Sequence, residues 1–336
     1  MKIITNDYGK LIRLLALLFA LSVLLFYGTF LYPYLYFYYY ATPEFMAVRP
    51  FSNIIPQGID YLEDEDVFLI SGYTYPKGYS NIIVVDSDRN QYQKKIVDEN
   101  GNSFKWHSGG IAAHNDYVYV TGGNKKCYVL DKNDLLDPDK EVVKTIGQIK
   151  TDSNSSFCFV YNNNLFIGEY QYLKKFATNK KHHMVSPNGN FNTAMVFAYP
   201  FSDDAKFGVK DKAIFALSIG STVQGMCMDK SGRMYLSASS AKWKDSILYV
   251  YDFREVVQTV NSTFSYHGDT IPVYIFEDKA MIAKIKVPPN AEGVTSYKND
   301  VYILFESAST RFKYGWLFGT QYVFNIRSKE MFDRSS

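Results

Sequence analysis

The sequence is poor in the features that announce a reaction. It holds only 3 cysteines, an odd number, so no disulfide framework carries the fold. Neither charge dominates. Lys plus Arg is 36 against 34 Asp plus Glu, a net charge of +2, whereas a dedicated nucleic-acid binder would carry a basic stripe. There is no P-loop, dinucleotide fingerprint, C-x-x-C pair, H-E-x-x-H helix or G-x-S-x-G elbow. Charge is also missing locally: between Arg13 and Glu44 there is none.

That gap reads as a membrane segment. Residues 14–32, LLALLFALSVLLFYGTFLY, are long enough to cross a bilayer core of about 30 Å as a helix. The tyrosine-rich PYLYFYYY that follows suits a membrane–water interface, and Pro33 ends or kinks the helix. Lys2, Lys10 and Arg13 precede the segment against one Asp7, while Glu44 and Arg49 cancel behind it. The positive-inside rule then leaves the N-terminus cytosolic and the bulk of the chain lumenal or extracellular. The alternative is a secreted protein whose signal peptide is cleaved, although Tyr39 is a poor residue at −3 of a cut near Ala41. Export makes two glycosylation sequons readable, Asn154-Ser-Ser and Asn261-Ser-Thr. Asn261 lies in a polar, loop-like stretch and is the better candidate; Asn154 sits close to a predicted strand.

Aromatic residues are 17% of the chain, and their excess favours pleated sheets. One unit recurs five times: a small residue, an apolar strand, a polar turn and a second strand rich in aromatic and β-branched residues. The units open at Gly58, Gly109-Gly110, Phe157-Cys158, Gly225 and Gly293, and their turns are EDED, HND, NNN, DKSG and KND. Third strands end at Asp86, Asp131, Pro200 and Asp252, and KKIVD, VVKTIGQI, AIFALSI and IAKIKVP supply fourth strands. The mean period is about 59 residues, the signature of propeller blades, with long insertions at 171–193 and 254–269. The expected architecture is all-β: a five-bladed β-propeller over 49–336, with six blades as the alternative. Residues 1–48 form the cytosolic stub, the transmembrane anchor and a linker. A β-sandwich is the competing fold.

PQGID at 56–60, HSGGIAA at 107–113, SSFCF at 155–159, VQGMCM at 223–228 and PPNAEGV with LFES at 288–307 resemble a group of largely uncharacterised bacterial secreted β-propeller proteins. The resemblance covers most of the exported part and implies fold and export; it brings no activity with it.

A propeller gathers the first strands of its blades around one channel. Residues before each repeat opening then ring the mouth: Gln57, His107 with Gly109, Ser156 with Phe157, Gln224 and Glu292. The ends of second strands rise to the same face: Tyr73, Glu169 with Tyr170, Ser239, and Glu306 with Ser307. This ring predicts binding of a small molecule, glycan or protein partner, with amides and carboxylates bonding it and Tyr73, Tyr170 and Phe157 stacking on it. The bland alternative is that the Gln and Glu side chains only satisfy neighbouring backbone. No cofactor is called for. Ca²⁺ on Glu292, Glu306 and Glu169 is the one metal the donor types suit, within an exported hydrolase that uses the same mouth. Acid–base work by His107 with Glu292 is the other hydrolytic arrangement. Cys127, Cys158 and Cys227 read as core thiols. The insertion with Lys174, Lys175, Lys180, Lys181, His182 and His183 reads as a solvated basic loop able to touch anionic headgroups or acidic glycans.

Overall fold

The computed structural model describes residues 4–49, 52–240, 242–298 and 300–333. Lys2 of the basic flank and Asn299 of the KND turn lie outside the described residues. The charge-free stretch lies in helix α1 (Ile4–Leu31), long and apolar enough to cross a membrane by length and composition, with none of its apolar window buried. A 3-10 turn (Tyr32–Tyr34) and helix α2 (Leu35–Tyr40) follow, and they are docked rather than loose. Phe37 is fully buried, with its ring against Phe305 and Phe324. The Tyr34 hydroxyl donates to Asp245 Oδ1 at 2.7 Å.

The rest is strands. β1 (Ala41–Met46) is followed by β2 (Ile54–Leu62), β3 (Val67–Thr74), β4 (Ser80–Val85) and β5 (Gln91–Val97). Next come β6 (Ile111–His114), β7 (Tyr117–Thr121), β8 (Lys126–Asp131), a short α3 (Lys132–Leu136) and β9 (Val142–Lys150). β2 to β5 and β6 to β9 are two antiparallel modules, joined by parallel pairing of β5 with β9 into one eight-stranded sheet. β10 (Phe157–Tyr161) and β11 (Asn164–Gly168) lead into the first insertion, which carries a small hairpin, β12 (Met184–Val185) and β13 (Phe191–Asn192). β14 (Ala194–Pro200) and β15 (Phe215–Ile219) complete that module. β16 (Val223–Met228), β17 (Arg233–Ala238) and β18 (Ser246–Asp252) begin the next. The second insertion then supplies α4 (Phe253–Val257), β19 (Ser262–Tyr266) and β20 (Asp269–Ile275) before β21 (Met281–Val287) closes the module. β19–β20 forms no sheet of its own, because β20 pairs in parallel with β15 and widens the preceding module. β22 (Ala291–Tyr297), β23 (Asp300–Phe305) and β24 (Tyr322–Ile326) precede a terminal α5 (Ser328–Phe332).

The last module takes its outer strand from the other end of the chain. β1 pairs antiparallel with β24. Residues 41–46, assigned from the sequence to the linker, are therefore part of the sheet array. Their polar and Pro-containing pattern hides this, since an outer strand buries only one face.

Burial follows position in the module. β4 is buried at every residue, being covered on both faces, and its IIVV run is accordingly continuous. β9, at the outside, alternates exposed and buried along its whole length. The apolar layers lie between neighbouring modules: Phe159, Phe166 and Leu217 meet Met226, Met234 and Leu236. Each such side chain, fully buried, contributes about 1.5–3 kcal/mol. Cys127, Cys158 and Cys227 are buried and free. The strand-ending aspartates act as caps: Asp131 accepts from Asp134 N and Asp252 from Arg254 N, both at 3.0 Å. Asp66, Asn115, Asn162, Asn163 and Lys298 take positive φ at the hairpin turns, where Asp and Asn tolerate it best.

β2, β6, β10, β16 and β22 pack side by side in that cyclic order, with β22 returning to β2, in a propeller-like arrangement. The repeat glycines are where they meet. A Cβ on Gly58 would stand 2.8 Å from Gly110 Cα, and one on Gly293 would stand 2.9 Å from Gly58 Cα. No other residue lets two backbones approach so closely. The axis is closed here, with room for only about 10 Å³.

Candidate functional site

Three inner strands carry a β-bulge at the same height. Register shifts occur between Pro56 and Gly58, between Val223 and Gly225, and between Ala291 and Val294. The extra residues are Gln57, Gln224 and Glu292 with Gly293. A bulge leaves its extra residue outside the ladder and turns its side chain aside. The hydroxyls of second strands fill the gaps this leaves. Ser71 Oγ accepts from Gly58 N at 3.2 Å, Thr121 Oγ1 donates to Ser156 O at 3.1 Å, and Ser237 Oγ donates to Glu292 O. Ser108, Ser155, Thr222 and Asn290, just before the inner strands, all take positive φ. Non-glycine residues in that conformation are held there at a cost and cluster at functional sites.

These devices line one blind cavity of about 560 Å³ with Gln57, Tyr73, His107, Ser156, Tyr170, Gln224, Glu292 and Glu306. All eight were expected at the mouth from the repeat alignment. Asn154 and Ser239 line it too. Sequence reasoning missed Lys175, Phe176, Lys242, Asn290, Arg311 and Phe312. Asn290 was within reach, two residues before Glu292. Arg311 and Phe312 come from a 3-10 segment (Thr310–Phe318) with no counterpart in the other repeats, so no periodic signal marks them.

Three expected members stand elsewhere. Glu169 is buried away from the cavity: its Oε1 lies 2.7 Å from His182 Nδ1 and accepts from Met195 N at 3.1 Å. It fastens the insertion to its module, and the calcium arrangement loses its third carboxylate. Among the described residues no group of three or more His, Cys, Asp and Glu could hold a metal. Phe157 is 1% exposed with its ring over Gly168, so it packs the core and stacks on nothing in the mouth. Ser307 is buried against Thr320 Oγ1 at 2.8 Å. His182 is likewise buried by its bond to Glu169, while Lys174, Lys175, Lys180 and Lys181 are solvated as expected. Of the two sequon asparagines, Asn154 is exposed at the mouth with its Oδ1 accepting from Asn124 N at 3.2 Å, and Asn261 is half-buried with its Oδ1 accepting from Ile275 N at 3.0 Å.

The electrostatics of the cavity centre on two carboxyls. Glu292 is buried, with a single side-chain hydrogen-bond partner among the described residues, Gln224 Nε2 at 3.1 Å. Burial, and then the nearby Glu306, hold its pKa well above the usual range. Burial also raises Glu306, opposed by a bond from Asn290 Nδ2 at 2.9 Å and by the charge of Arg311. The Gln224–Glu292 bond links two modules side chain to side chain, whereas Gln57 Nε2 donates to Pro56 O at 2.9 Å, so the backbone-satisfying alternative holds for Gln57 and not for Gln224. His107 is open to the cavity yet surrounded by protein, with its ring 4.6 Å from that of Tyr73. Removal from bulk water, helped by Arg311, brings its pKa down to about 4, so it is neutral at pH 7. Among the described residues no hydrogen bond joins His107 to Glu292, and the base-and-orienter pair is not assembled. Tyr170 bonds Ser239 O at 3.1 Å and packs its ring 5.5 Å from Phe176. Arg311 lies over Tyr75 and Phe312, 4.5 and 5.1 Å from their ring centres. Ser155 borders the cavity, with its Oγ buried and without a hydrogen-bond partner among the described residues.

No family model matches the sequence, and the search of curated proteins returns no match. Three solved structures similar in fold are glutaminyl cyclase from Myxococcus xanthus, PQQ-bound aldose sugar dehydrogenase from Streptomyces coelicolor and BamB from Moraxella catarrhalis. Their identities are 9, 12 and 11% and their TM-scores 0.43, 0.41 and 0.34. The matches cover 85, 79 and 80% of this chain, and 92, 78 and 84% of those chains.

Proposed function

We propose that this chain is a five-bladed, membrane-anchored propeller, its bulk lumenal or extracellular, whose mouth binds a hydroxyl-rich ligand such as a short glycan. The cyclic packing of β2, β6, β10, β16 and β22 supports the blade count. The basic residues ahead of α1 support the topology. The observation that carries the ligand class is the set of hydrogen-bonding groups in the mouth. Burial pushes Glu292 towards its neutral form, which can both donate and accept; Glu306 is offset by Arg311; His107 is a neutral imidazole. Such a cavity offers hydrogen bonds of both kinds, with the exposed cations Lys175, Lys242 and Arg311 in its lining, between aromatic walls from Tyr73, Tyr170, Phe176 and Phe312. The volume falls within the range of small-ligand sites, about 300–1,000 Å³.

The test is calorimetry of the purified full chain in detergent against neutral gluco- and N-acetylglucosamine oligosaccharides. Glu292→Ala should abolish binding. Glu292→Gln, which imitates the protonated acid, should keep it. Wild-type binding should weaken as pH rises through the elevated pKa of Glu292, and the Gln variant should not follow. Wild-type binding to none of these sugars, or equal binding by the Ala variant, would sink the reading.

A further inference from the structure

The path of the chain from α1 into the propeller sets which end of the channel meets the membrane. Tyr34 bonds Asp245 in the β17–β18 loop, whose Ser239, Ser240 and Lys242 line the mouth. The rings of Phe30 and Tyr34 each lie 5.7 Å from Phe318, and the Tyr38 hydroxyl donates to Phe318 O at 2.5 Å. Phe318 closes the segment that gives the mouth Arg311 and Phe312. Six residues on, the Tyr40 carbonyl meets Arg327, at the far end of β24. The chain thus enters at the mouth end and runs away from it, so α1, which precedes Tyr34, stands on the mouth side.

There is no slack between them. The apolar stretch ends at Tyr32, and two residues of 3-10 turn advance about 4 Å to Tyr34. The headgroup layer on each side of a bilayer is about 5–7 Å deep, so the mouth loops lie at its level. Their exposed side chains suit that layer. Leu173, Val185 and Phe191 in the first insertion are 68, 63 and 61% exposed, and Trp243 beside Lys242 is 62% exposed. Lys174, Lys180, Lys181 and Lys244 stand among them, exposed. At the opposite end the hairpin tips carry Glu63, Asp64, Asp66 and Asp116 beside Lys230 and Lys298, and among the described residues no large exposed hydrophobic.

We infer that the mouth end lies against the bilayer entered by α1, with the 169–193 and 239–245 loops seated in an anionic headgroup layer. Lysines supply the electrostatic attraction and the apolar tips the burial, the combination by which peripheral segments hold a membrane surface. A mouth so placed opens onto headgroups rather than bulk solvent. This rests on α1 being a retained anchor and is independent of the sugar assignment.

The experiment uses the full chain in vesicles of phosphatidylcholine, with and without phosphatidylglycerol, carrying a headgroup-attached spin label. A fluorophore is placed through Leu173→Cys, Phe191→Cys or Asp64→Cys; the native cysteines are buried and will not compete. Strong quenching at positions 173 and 191 and little at 64 is expected. Lys180→Glu with Lys181→Glu should reduce quenching at 173 only where phosphatidylglycerol is present. Chains that float with the vesicles yet quench no more at 173 and 191 than at 64 overturn the orientation and leave the anchor intact. Chains that do not float overturn both. An equal loss of quenching in neutral vesicles removes the anionic headgroups from the proposal.

Discussion

Asp229 and Glu292 are both buried carboxylates near the channel axis, on adjacent modules, at opposite ends of their inner strands. Asp229, at the β16–β17 turn, accepts from Ser231 N at 2.9 Å, Ser231 Oγ at 2.5 Å, Arg233 N at 3.0 Å, Tyr235 OH at 3.1 Å and Ser328 Oγ at 3.3 Å. Glu292, at the mouth, has Gln224. The turn end answers its buried charge completely, which is how a fold stabilises itself. The mouth end leaves donors and acceptors facing a cavity, and a fold retains such groups where they meet something else. The exposed chemistry differs too: acids, amides, Lys230 and Lys298 at the turn tips, lysines together with large apolar side chains on the mouth loops.

The comparison breaks most sharply at Asp229. Asp229→Ala removes the shared acceptor of the Tyr235 and Ser328 hydroxyls, leaving them only each other, and strips the turn amides of Ser231 and Arg233 of theirs; it should cost about 3–5 kcal/mol of stability. Urea unfolding would read this, while sugar affinity per folded molecule stays unchanged. A loss under about 1 kcal/mol would mean that the turn end is no more structural than the mouth.

Asp60, midway along β2, tests the boundary between the two ends. Its carboxylate accepts from Ala113 N at 2.8 Å and Thr295 Oγ1 at 3.2 Å, tying β2 to both neighbours. Burial raises its pKa from 3.8 to about 6. Below 3.8 both folded and unfolded states hold the proton. As pH climbs towards 6 the unfolded chain releases it first, so stability is lost across that window and stays lost above it. Asp60→Asn should flatten this part of the pH profile, read as urea midpoints between about pH 4 and pH 7. An unchanged profile would show that the carboxylate is as well answered as Asp229.

The smallest effect is expected at the rim. Phe176→Ala should weaken sugar binding by about 1 kcal/mol, the scale of one aromatic contact, and leave thermal stability untouched. A fall in melting temperature without a fall in affinity would move Phe176 from the mouth to the structural side of the comparison.

Much of the scaffold was legible because it repeats. Gly58, Gly110, Gly225 and Gly293 stand out in sequence because backbone approach at the axis admits nothing larger. The turns stand out because left-handed φ calls for Asp, Asn or Gly. Knowing only that inner strands share an axis and that second strands end on the same face was enough to place eight side chains that line one cavity. Glu169 went astray because its residue type fits a mouth as well as it fits a buried tie to His182, and only the path of the insertion decides between them. Strand β1 was missed because its partner, β24, lies at the other end of the chain.

The sequence alone determined the apolar helix, the strand modules and their turns, since these depend on local periodicity and on backbone conformations that few residue types adopt. Tertiary structure decided the rest: the bulges that turn Gln57, Gln224 and Glu292 aside, the burial that raises the pKa of Glu292, and the docking of Tyr34 that sets the mouth beside α1. Each of these depends on what stands next to a residue in space, and for these groups the neighbours are tens to hundreds of positions away in the chain.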